Sequence, residues 1–253
     1  YYIIFSLKLN LKEIFIMEPI PVMQDAYTGT QDHARTFILK VYMWMSLGLF
    51  ITAGVSISPF LVLSETQYIN LISEYIFVFY GLLIVEFLIV LGLSFLINKM
   101  PAILGLAAFL FYSLLNGITL SPIFIIYTGA SIFSTFLICA MMFGGTSILG
   151  FITKMDLTKF GGYLTMALIG LIVAMVVNIF LNSSMMSWII SFVGVLLFVG
   201  LTAYDTQKIK NMAGSIDSAS EDGKKASIMG ALTLYLDFIN LFLFLLRLLG
   251  KRN

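Results

Sequence analysis

The sequence predicts an all-α polytopic membrane protein, seven transmembrane helices with a central, polar last helix, and three observations predict it. Of 253 residues, 60% are hydrophobic and 11% charged. Soluble domains run at roughly 45–50% and about 25%, so this chain has too little charge to cover a water-facing surface. The apolar residues gather in seven runs, each near the roughly 20 residues a spanning helix needs. The basic residues fall on alternate connections between those runs, as membrane orientation requires. Together these exclude a soluble enzyme and a disordered chain. With Lys+Arg 14 against Asp+Glu 13, they also exclude a nucleic-acid binder with a basic face.

In chain order, residues 1–36 read as a cytoplasmic N-terminal arm and residues 37–253 as a seven-helix transmembrane domain. Residues 1–16 carry Lys8, Lys12 and Glu13, too interrupted to span and without a signal-peptide cleavage site. They are expected to be upstream sequence or a flexible arm before the polar leader that begins at Met17. The apolar runs cover 37–63, 75–97, 101–127, 129–152, 162–182, 186–208 and 229–249. Short polar connections separate them, and the longest, 211–227, is rich in Ser, Asp, Glu, Gly and Lys. No internal repeat divides the chain into halves.

With the N-terminus cytoplasmic, eleven of the fourteen basic residues fall inside, and the three outer loops hold none. Arg247, Lys251 and Arg252 break the pattern at the far end of the last run. A single cysteine, Cys139, sits among Leu137, Ile138 and Ala140 and reads as a small core residue. With one histidine, His33, a histidine-built metal site or a Ser-His-Asp triad lacks parts.

Four ionisable residues fall inside the runs: Glu86, Asp205, Asp237 and Arg247. A charge at mid-bilayer costs roughly 2.5–3.5 kcal/mol on insertion scales, so such residues must face one another or a water-filled cavity. At 1.5 Å per residue, Asp205 and Asp237 both lie about 8–12 Å above the inner interface and can meet. Glu86 lies about 20 Å above the inner edge and Arg247 about 15 Å above Asp237, similar depths and opposite signs. In the seventh run Thr233, Asp237, Asn240 and Arg247 share one stripe, opposite Leu234, Leu241 and Leu245. A helix with that stripe belongs in the middle of a bundle.

Two carboxylates side by side in low dielectric resist ionising together, so Asp205 and Asp237 should share one proton over some pH range. Shared, it ties the sixth and seventh spans; lost, it leaves two repelling charges that draw in water and a cation. Calcium takes six to eight oxygens, so two acids make a weak transit site at most. The same residues also fit quieter roles. The pair could be a permanently protonated tie, Asp205 could be interfacial, and Glu86 with Arg247 could be a structural ion pair rather than a gating one. Thr233, Asn240 and Asn116 are candidates to line a cavity. Asn116-Gly117 and Ser121-Pro122 either unwind the third span or kink it. Gly144, Gly145, Ser147 and Gly150 read as close-packing small residues, and Asn178 as an interhelical hydrogen bond.

The stretches Gly117-Ile118-Thr119-Leu120-Ser121-Pro122-Ile123, Thr202-Ala203-Tyr204-Asp205-Thr206-Gln207 and Leu234-Tyr235-Leu236-Asp237-Phe238-Ile239-Asn240-Leu241-Phe242 resemble the Bax inhibitor-1 family, also called the transmembrane Bax inhibitor motif family. The likeness runs from about Arg35 onward. It implies six spans wrapped around a polar seventh, and a pH-sensitive calcium leak. Asp205 and Asp237 match the family's proton-sharing acids, and Glu86 and Arg247 its second-span acid and seventh-span arginine. The family's gating arginine near the inner end of the second span would fall close to Ile97, which is apolar, with Lys99 the nearest base. The family has eukaryotic and bacterial members, and the compact chain points to a bacterial inner membrane.

The reading is therefore a pH-sensitive, calcium-permeable leak channel, expected to be a monomer in the bilayer that handles calcium ions and protons. It is expected to use no cofactor, bind no nucleic acid and catalyse no reaction. The alternative is a non-conducting regulator that binds a membrane-protein partner, such as a protease or a component of a stress or cell-death pathway.

Overall fold

A computed structural model describes residues 21–253, with side chains from residue 33. The reading of residues 1–16 lies outside the described residues. The first helix, α1, covers Pro21–Ile57, so the described part of the arm is continuous with the first span. A 3₁₀ turn at Ser58–Leu61, with Pro59 in its first turn, ends it. A short α2 (Glu65–Glu74) follows, begun by a reciprocal cap in which Ser64 and Gln67 satisfy each other's backbone N–H.

The remaining helices are α3 (Ile76–Leu96), α4 (Ala102–Leu120), the single turn α5 (Ile123–Ile126), α6 (Gly129–Ile152), α7 (Gly161–Leu181), α8 (Ser184–Ala213) and α9 (Glu221–Leu249). Among the described residues seven helices are long and apolar enough to cross a membrane. Their ends are set by local chemistry. Asn182, at φ 48°, turns the chain out of α7 in the left-handed region that Asn tolerates. Ser183 and Ser220 cap α8 and α9 by accepting from Met186 N–H and Gly223 N–H.

The fourth run, 129–152, coincides with α6. The last two helices exceed their apolar runs at the facing ends: α8 continues to Ala213 and α9 begins at Glu221. Hydropathy marks where a helix is apolar, and the charged residues at 221–225 extend the helix without extending that run.

Packing places α9 at the centre. It contacts α1, α4, α6 and α8, while α3 leans on α4 and α7 on α8. Of its most apolar stretch 72% is buried, against 11% for the second span and 6% for the fifth. Two glycines permit close approaches between helix backbones. A Cβ on Gly117 would stand 2.8 Å from the Thr52 carbonyl oxygen of α1, and one on Gly150 would stand 2.6 Å from that of Ala203 in α8. Helix α4 therefore runs unbroken through Asn116-Gly117, packed rather than unwound, and ends at Ser121-Pro122. Gly144 and Gly145, read from sequence as close-packing, have no neighbour within 4 Å of an added Cβ.

Candidate functional site

The Ala-Tyr-Asp-Thr-Gln stretch lies on α8 where α6 comes closest. Thr206 Oγ1 donates to Ser147 Oγ of α6 at 3.3 Å. Gln207 holds the 153–160 connection at both ends of its amide, donating to Met155 O at 2.8 Å and accepting from Leu157 N–H at 2.7 Å. With Gly150 admitting the Ala203 backbone, these contacts fix the turn of helix that carries Asp205. On α9, Tyr235 is fully buried and shares a 2.6 Å hydrogen bond with Thr52 of α1. Its ring meets Phe109 and Tyr112 edge-on, at 5.6 and 5.8 Å between centroids. One turn further on, Cys139 Sγ of α6 donates to Phe238 O at 3.7 Å, and Cys139 is the small core residue expected.

Between these anchors the carboxyl groups of Asp205 and Asp237 lie within hydrogen-bonding reach of each other. Asp237 is buried, and its Oδ2 has no hydrogen-bond partner among the described residues. A carboxylate only accepts, so two ionised aspartates cannot bond to each other, and one proton between them supplies the missing donor. Lys208, exposed one turn along α8, is within electrostatic range of Asp205. Ile97, where the family's gating arginine would fall, is buried, and Lys99 is exposed with no ion pair among the described residues.

The structure does not bring Glu86 and Arg247 together. Glu86 accepts from Thr119 Oγ1 at 2.8 Å and Asn116 Nδ2 at 3.4 Å, both on α4. Arg247 is exposed, with its guanidinium carbon 5.9 Å from the centre of the Phe244 ring. Depth along a span gives height but not direction, and α3 packs on α4 rather than on the central helix. The ion pair expected from sequence is thus replaced by a neutral-donor site for Glu86.

The three candidate cavity residues are likewise engaged locally. Asn240 Nδ2 donates to Leu236 O at 2.8 Å and Thr233 Oγ1 to Met229 O at 3.0 Å, each within α9. Asn116 bonds Glu86 and the Tyr112 hydroxyl. None of the three lines the roughly 660 Å³ cavity between α1 and α6, whose walls are mainly apolar and whose floor is Phe238. Asn178 makes the expected interhelical bond, donating to Ser187 Oγ at 2.7 Å.

Reading the charges alone missed Thr119, Tyr112, Thr52 and Gln207 as partners. Thr119 and Gln207 stood inside two of the three family-like stretches, and Thr119 follows Asn116 by three residues, one helical turn. Among the described residues no third His, Cys, Asp or Glu gathers with Asp205 and Asp237 into a metal-holding group.

Comparison with known proteins agrees with this architecture. The family model described as "Inhibitor of apoptosis-promoting Bax1" matches residues 34–253. The Escherichia coli inner membrane protein YbhL is 47% identical over 220 residues, covering 87% of this chain and 93% of its own. A Borreliella burgdorferi protein is 44% identical over 218 residues, covering 86% and 92%. A Streptococcus pyogenes membrane protein is 37% identical over 231 residues, covering 90% and 97%.

Proposed function

The chain belongs to the Bax inhibitor-1 family of membrane proteins, and from that premise we propose that it is a pH-sensitive, calcium-permeable leak channel gated at Asp205 and Asp237. The observation that carries the reading is the buried Asp237 Oδ2, which lacks a donor among the described residues while its carboxyl lies beside a second one. With one proton between them the acids tie α8 to α9. Without it, two like charges in a low-dielectric setting repel and draw in water, and an ionised acid pair favours a cation over an anion. Calcium as the physiological cargo rests on the family resemblance. So do the bacterial inner membrane and a cytoplasmic N-terminus, together with the Lys/Arg bias and the inner-membrane relative in E. coli.

The test is flux from proteoliposomes of the full chain, comparing calcium, sodium and protons across pH. Calcium flux that varies with pH in the wild type, and loses that variation in Asp205→Asn and Asp237→Asn, supports the proposal. Equal pH dependence in all three proteins refutes the gate. A second reading, a non-conducting regulator of a membrane-protein partner, draws on the filled axis of the bundle, where α9 is packed by four helices. Absence of flux at every pH, with a partner that co-purifies, would favour it.

A further inference from the structure

The end of the bundle remote from the 214–220 connection holds cations that the aspartate pair does not use. Arg247, Lys251 and Arg252 lie there, against the bias followed by the other eleven basic residues. The segment carrying the last two is strapped down. Thr128 N–H donates to Lys251 O at 3.0 Å, Lys251 N–H to Ser131 Oγ at 2.8 Å, and Asn253 N–H to Ile126 O at 3.1 Å. Arg252 forms an antiparallel bridge with Tyr127. All these bonds use the backbone of the tail, so the strap orders Arg252 without occupying its guanidinium.

Arg252 and Arg247 line one polar cavity of about 410 Å³. Among the described residues neither arginine forms an ion pair or donates a side-chain hydrogen bond, and Arg247 is steadied only by the Phe244 ring. The start of the 30-residue α8 lines it too, with Ser184, Ser187 and Ser191 on one face at three- and four-residue spacing; the Ser191 hydroxyl donates to the Ser187 carbonyl at 2.7 Å. Ser187 Oγ already accepts from Asn178, so its own proton is available to a ligand. Met186 N–H is taken by the Ser183 cap, and the N–H groups before it, which have no partner within the helix, favour an anion. Trp188 lines the same cavity, and aromatic residues of this kind mark the membrane–water boundary.

We propose that this cavity binds a phosphate-class anion, held by Arg247 and Arg252 together with the Ser184 and Ser187 hydroxyls and the first turn of α8. Guanidinium groups match phosphate oxygens in a two-point geometry. The ligand is the phosphate of a lipid headgroup or a free phosphate from the adjoining aqueous phase. The inference does not depend on the leak reading.

The experiment uses the full chain purified in a neutral detergent, with bound lipid counted by native mass spectrometry. Phosphatidylglycerol and phosphate-free diacylglycerol are offered separately, with and without millimolar inorganic phosphate. Variants are Arg252→Gln, whose backbone strap is unaltered, Arg247→Gln, and Lys225→Gln at the opposite end as a charge control, each checked for an unchanged thermal midpoint. Phosphatidylglycerol should be retained by wild type and Lys225→Gln and weakened about tenfold or more in either arginine variant. Retention that survives inorganic phosphate identifies the headgroup as the source, and displacement by it identifies the free anion. Equal retention in all four proteins, or diacylglycerol held as firmly as phosphatidylglycerol, overturns the proposal.

Discussion

Glu86 and Asp237 are carboxyls buried to nearly the same degree, 7% and 5% exposed, in surroundings of opposite kind. Glu86 faces a hydroxyl and an amide on α4, which offer it hydrogen bonds from a neighbouring helix. Asp237 faces another acid and has one oxygen without a donor among the described residues. Burial alone therefore does not make a switch. At Glu86 the protein provides the partners, so the site holds α3 to α4. At Asp237 the neighbouring group is a second carboxyl, and on the proposed reading a shared proton supplies the donor and makes that contact depend on pH.

The widest separation between the two sites should appear in transport. Asn at 205 or 237 should abolish the pH response of calcium flux in proteoliposomes, whereas Glu86→Gln should leave that response in place. A loss of pH response in Glu86→Gln would reverse the assignment. Stability should separate them the other way. Glu86→Ala removes the acceptor that joins Thr119 and Asn116 to α3, leaving them only their partners within α4, and should cost about 1–3 kcal/mol in denaturant titration, with Glu86→Gln recovering most of it.

A smaller loss, about 1 kcal/mol, is expected for Tyr235→Phe, which keeps the ring packing on Phe109 and Tyr112 but removes the bond to Thr52. The smallest effect lies outside the membrane. Hydrogen bonds from the Thr158 hydroxyl and backbone N–H hold the Asp156 carboxyl below its ordinary value. A lowered folded value means the cap contributes fully above the unfolded value, about 4, and fades as pH falls through the folded one. Amide exchange at Thr158 should accelerate over that acidic window and be insensitive to pH, beyond intrinsic exchange, in Asp156→Asn.

Much of the aspartate pair was legible in the sequence because it is made of exceptions. Asp205 and Asp237 are acids in apolar runs, and helix rise alone places them at one depth. The central position of α9 was legible from its polar stripe, although Thr233 and Asn240 in that stripe turn back to their own helix. The Glu86 site was not legible, because its partners Thr119 and Asn116 are ordinary residues whose meaning depends on which helix α3 leans against. Arg247 failed for the same reason: equal height says nothing about azimuth. The outer strap, with Arg252 bridged to Tyr127, joins residues 125 positions apart and left no local signal.

The central claim is that the titrating proton in the membrane belongs to Asp205 and Asp237 and not to Glu86. Infrared difference spectra of the reconstituted protein, following the protonated-carboxyl C=O stretch across pH, test it directly. The account predicts one such band that disappears as pH rises in wild type and Glu86→Gln and is missing from the titration of both Asp205→Asn and Asp237→Asn. A band that vanishes in Glu86→Gln and persists in the aspartate variants would contradict it.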